Sequence, residues 1–127
     1  AHPHVHNNSL LGNKGIDVRF PTSSASIHNN LNEGRIRDRD GGTHTAGKNI
    51  VASQCGWLGR FLDNCDAEAW HVSAITGDLR LVDVDQVLDQ GNVNLKSGLD
   101  FCGNLRLATP DIGPIEYNAG QFCLPSR

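Results

Sequence analysis

At 127 residues the chain has the size of one domain and enough length to bury a core. Its apolar fraction is low at 38%, and its formal charge is −3, with acidic and basic residues interleaved. No run approaches the roughly 20 apolar residues of a membrane span, and the basic cluster Arg35, Arg37, Arg39 is diluted by Asp38 and Asp40. A nucleic-acid binder needs a basic stripe to neutralise phosphates, so composition argues against nucleic acid and against a spanning helix.

Residues 1–14 are polar, carry little periodicity and read as a loosely held arm ahead of a single domain over 15–127. The start Ala1-His2-Pro3 fits a mature form left by signal-peptide removal, and Asn7-Asn8-Ser9 is a glycosylation sequon. In an extended segment His2, His4 and His6 share one face and suit copper or zinc, while Pro3 lacks the amide nitrogen an amino-terminal chelate would use. No dedicated cofactor is expected, and a tail that picks up copper or zinc adventitiously explains the histidines better than a functional metal site. Ile16–Phe20 alternates apolar and polar residues until Pro21 stops it, which predicts a strand. Residues 21–48 are loop-like, with one short strand near Ile36. A loop of this length is unusual inside a compact domain, so weak strands are expected within it.

The second half is more regular. Strands are predicted over 49–53, 69–75, 79–82, 92–95, 105–107 and 115–117, with short helical turns over 57–62 and 84–88. Gly77-Asp78-Leu79-Arg80-Leu81 is echoed by Gly103-Asn104-Leu105-Arg106-Leu107, as two equivalent turn–strand units would be. Cys55, Cys65, Cys102 and Cys123 lack the two-residue gap of a zinc knuckle or redox dithiol. An even count in a small domain then reads as two disulfides made in an oxidising compartment. Sequential pairing, Cys55–Cys65 and Cys102–Cys123, closes the shortest loops, and the other two connectivities stay open. The fold expected is all-β, or mainly β with one or two short helical turns, in a small disulfide-stapled sandwich or barrel.

The run from Val82 through Asp85, Gly91-Asn92 and Leu95 leads into Phe101-Cys102-Gly103-Asn104-Leu105-Arg106-Leu107. Over residues 79–107 this resembles the cyanovirin-N homology domains of secreted fungal proteins. The 36 residues between Cys65 and Cys102 suit that family's gap, whereas the Cys102–Cys123 loop is longer than its usual bridge and Cys55–Cys65 is shorter. The resemblance implies a lectin-like, non-catalytic β fold and carries no sugar-contacting residue across.

Three functions follow. The leading one is a secreted, non-catalytic, lectin-like or effector-like protein recognising a cell-wall glycan or a host protein, with Trp57, Asn92 and Asn94 as ligand contacts. Tryptophan offers large contact area at small entropic cost, and Trp70 is assigned to the core. The second is a small secreted hydrolase, for instance a ribonuclease, working through His44 or His71 with Glu68, Glu116 or Arg106 as partner. The third is metal binding through His2, His4 and His6. Asp38 and Asp40 before Gly41-Gly42 have the start of a calcium loop without its closing acid, and a charge-paired turn explains them better.

Overall fold

The computed structural model describes residues 2–12, 15–52, 67–82, 85–94 and 96–117. Over these the chain is mainly β, as composition and turn spacing predict, and no closed barrel forms. The first half is a stack of coils. The first coil is β1 (His4–His6), β2 (Ser9–Leu10) and β3 (Gly15–Arg19). The second is β4 (Ser24–His28), β5 (Leu31–Asn32) and β6 (Arg35–Arg39), and β7 (Thr43–Gly47) with β8 (Ile50–Val51) begins the third. Each strand pairs in parallel with its counterpart one coil on, giving sheets β1-β4-β7, β2-β5-β8 and β3-β6. A sandwich was expected because short strands between Gly and Asn turns serve either architecture. Here the chain returns to the same place after each circuit.

Matched residues hold the coils together. Val5 and Ile27 stand in register on the inward side of the first sheet and pack with Ile16, Val18, Ala25 and Ile36. The corner after each of these strands turns through positive φ at Asn7 (58°), Asn29 (59°) and Lys48 (60°), and asparagine tolerates that region better than most residues. The next residue is Asn8, Asn30 or Asn49, and these stack as a ladder. Asn30 Nδ2 donates to Asn49 Oδ1 at 2.9 Å and to the Val5 carbonyl at 2.9 Å, while Asn8 donates its own N–H to Asn30 Oδ1 at 3.0 Å. The ladder satisfies buried backbone groups at a corner that strand pairing cannot reach.

Within the expected arm, the described residues 2–12 are therefore not free. Over the described 2–12 they supply β1 and β2, tied to the second coil by Ser26 N–H to the Pro3 carbonyl and Leu31 N–H to the Asn8 carbonyl. β3 and β6 bear out the strands predicted at Ile16 and Ile36, with Phe20 turning the corner at φ 75° instead of ending the strand.

The later residues dock on the outer flank of the second sheet. A helical turn (Ala67–Trp70) leads into β9 (His71–Ser73), which pairs antiparallel with β10 (Asp78–Leu81) across a 3-10 turn at Ala74–Thr76. Leu31 of β5 packs against Ala52, Trp70, Leu81, Val87 and Ile112, and Trp70 is fully buried as expected. Residues 92–94, 105–107 and 115–117 form no strand beyond an isolated Leu99–Leu105 bridge. Buried polar groups order this segment in place of a ladder. The Arg106 guanidinium donates to Glu116 Oε1 at 2.5 Å and to the carbonyls of Gly113 and Pro114 at 3.0 and 2.9 Å. The five-residue echo is consequently not a structural repeat. Arg80 pairs with Asp78 within a strand, whereas its counterpart Arg106 is the core of a buried clasp.

Candidate functional site

The outward side of β3–β6 gathers more charge than any other face among the described residues. Side chains alternate along a strand, so Arg35, Arg37 and Arg39 all point outward and Asp38 points the other way. The parallel register sets Gly15 beside Arg35, Asp17 beside Arg37 and Arg19 beside Arg39. Asp17 takes two partners, Arg37 Nε at 3.3 Å and Arg39 Nη1 at 2.9 Å, and Asp40 accepts from Arg19 Nε at 2.8 Å. These pairs are a third to a half exposed, so each contributes about 0–1 kcal/mol and chiefly fixes the guanidinium planes.

Arg35 differs from the rest. Its neighbour across the ladder is glycine, and no acidic side chain lies against it among the described residues. Gly15 is required there: at φ 106°, a Cβ would fall 1.8 Å from the Arg35 carbonyl oxygen. Among the described residues four guanidiniums thus meet two carboxylates on this face, in a chain of net charge −3. At its far end Phe20 is 58% exposed, with the Arg19 guanidinium 5.4 Å above its ring. A groove of about 460 Å³ opens beside it, lined by Pro3, Val5, Ile16, Val18 and Ala25 among others.

The residues singled out from sequence fall elsewhere. Trp57, Cys55, Cys65 and Cys123 lie outside the described residues, and Cys102 is not a free thiol. Asn92 and Asn94 sit in the later segment against the Asn29 corner. Asn92 exchanges backbone hydrogen bonds with the Asn29 amide, and its own side chain accepts from the Asn94 N–H at 2.9 Å, which makes a turn. His2, His4 and His6 share the outward side of the first sheet, but His2 is held by Ser24 and Ser26 at 2.6 and 2.8 Å and His6 by Asn7 at 2.9 Å. Among the described residues no three metal-ligating side chains converge.

The two candidate catalytic histidines are separate. His44 Nδ1 donates to Asp38 Oδ1 at 2.6 Å at the rim of a cavity of about 330 Å³, lined by Ile36, Ala46, Lys48, Asn49 and Val51 among others. His71 is 1% exposed and pairs through Nε2 with Ser9 Oγ at 2.9 Å, so burial and packing against Trp70 account for it. Neither Glu116 nor Arg106 partners a histidine, since they pair with each other. Asp40 pairs with Arg19 and Asp38 with His44, which leaves both in charge-paired turns and strands as expected.

Sequence reasoning had noticed Arg35, Arg37 and Arg39 and set them aside because Asp38 and Asp40 intervene. The missed signal was the two-residue period, which sorts Asp38 onto the opposite side. No protein-family model, no curated protein and no solved structure matches the chain.

Proposed function

We propose that the chain is a secreted, non-catalytic protein that holds a glycan against the β3–β6 face. The observation that carries this reading is the juxtaposition of an exposed aromatic, Phe20, with a flat row of oriented guanidiniums. Sugars are bound by stacking an apolar ring face on an aromatic while planar donors take the ring oxygens. In-register coils keep these groups fixed before binding, which lowers the ordering cost of recognition. That Cys102 is not a free thiol suits bridges Cys55–Cys65 and Cys102–Cys123 made outside the cell.

Affinity electrophoresis against immobilised neutral and acidic polysaccharides tests the reading. Retardation of the chain by at least one polysaccharide is expected, with loss in Phe20→Ala, whose side chain is exposed and free to change without unfolding. A chain that migrates unretarded in every gel overturns it.

A second reading rests on the His44–Asp38 pair. The carboxylate accepts from Nδ1 and so leaves Nε2 unprotonated as a base, on a histidine that lines the cavity, as a small hydrolase would require. Hydrolysis of an ester, phosphodiester or glycoside substrate that disappears in His44→Ala would favour it over binding.

A further inference from the structure

We propose that the glycan is acidic: its carboxylate or sulfate groups are taken by Arg35 and Arg37, and a ring at the other end stacks on Phe20. This rests on the glycan-binding reading and names the ligand class for the same face.

The argument starts from the ladder register. Asp17 neutralises the middle of the row and Asp40 the Phe20 end, but the glycine opposite Arg35 leaves that end without a counter-charge among the described residues. A neutral sugar gains little from such an end, because an exposed guanidinium is already well hydrated. An anion gains a charge-assisted, bidentate contact. The strand rise of about 3.3 Å per residue separates Arg35 from Arg39 by about 13 Å. Phe20 lies just beyond the Arg19 and Arg39 end. The face therefore fits a short oligosaccharide laid along β6, with charge at one end and an apolar ring face at the other.

The test uses the full chain and four probes: polygalacturonate for carboxylate, dextran sulfate for sulfate, dextran as a neutral control, and duplex DNA as a polyanion without sugar acids on its surface. Binding to polygalacturonate or dextran sulfate, weakening as salt rises, is expected. Which of the two binds more tightly identifies the source of the anion. Arg35→Ala should weaken binding about tenfold and flatten the salt dependence, as loss of one charged hydrogen-bonding contact does. Phe20→Ala should weaken binding with the salt dependence unchanged. Asp17→Asn, which removes the carboxylate shared by Arg37 and Arg39, should tighten it. Circular dichroism confirms that each variant is folded.

Equal binding to dextran, insensitive to salt and to Arg35→Ala, overturns the acidic ligand and leaves the glycan reading standing. DNA binding as tight as that of the acidic glycans overturns it in favour of general polyanion attraction. Failure of all four probes overturns this inference together with the reading beneath it.

Discussion

Asn32 is the residue whose environment and chemistry disagree most. It is fully buried, and among the described residues neither its Oδ1 nor its Nδ2 finds a hydrogen-bond partner. In the second sheet it stands in register between Leu10 and Val51. An unsatisfied buried amide costs about 1–3 kcal/mol, and an apolar side chain of the same branching avoids that penalty. Asn32→Leu is therefore expected to stabilise the chain by about 1–2 kcal/mol, read as a higher urea midpoint with an unchanged slope. A lower midpoint would mean that the amide is satisfied in solution or that leucine overpacks the rung. No sequence signal announces this position, because a two-residue strand is too short for alternation to say which side it buries.

At the scale of the element, the asparagine ladder is the part of the fold most dependent on one side chain. Asn30 accepts from Asn8 and donates to Val5 and Asn49, so Asn30→Ala strands buried groups in both neighbouring coils. A loss of about 3 kcal/mol is expected in chemical denaturation, against under about 0.5 kcal/mol for the exposed Asn94→Ala. Equal losses would show the ladder to be incidental. This element also explains what was legible in the sequence. Alternation over 16–20 and around Ile36 revealed β3 and β6, since five-residue strands with one exposed side carry a period of two. The coil itself was present as Val5-His6-Asn7-Asn8 followed by Ile27-His28-Asn29-Asn30. It was hidden because the spacing changes from 22 to 19 residues between rungs and because β2, β5 and β8 are two residues long. The more conspicuous echo at 77–81 and 103–107 joins a strand to a turn. Of the candidate site, the three arginines were visible, but the face was not. Its meaning depends on a register with β3 that no local pattern encodes.

For the whole molecule, the docking of the later segment onto the coils sets a pH dependence. Burial raises the carboxyl groups of both Asp111 and Glu116 above their ordinary values, with the nearby Arg106 guanidinium opposing the rise. Each therefore binds its proton more readily folded than unfolded. The stability this contributes is fully present below the unfolded carboxyl value, near about 4, and is lost as the pH climbs through the raised folded values. Asp78 runs the other way. Its hydrogen bond from Arg80 depresses its carboxyl, so its contribution is present above the unfolded value and lost as the pH falls. Asp78 is a single, partly exposed group, and its contribution is correspondingly small beside that of two buried carboxyls. Thermal unfolding should accordingly show a melting temperature that rises as the pH is lowered from neutrality toward about 5. Asp111 accepts the N–H groups of Asp89 and Tyr117, so Asp111→Asn lowers the melting temperature at every pH, and the slope is the informative quantity. That slope should flatten in the variant, because one of the two titrating groups has gone. A wild-type melting temperature that falls on mild acidification, or a slope unaltered by Asp111→Asn, would remove the buried carboxyls from control of the clasp.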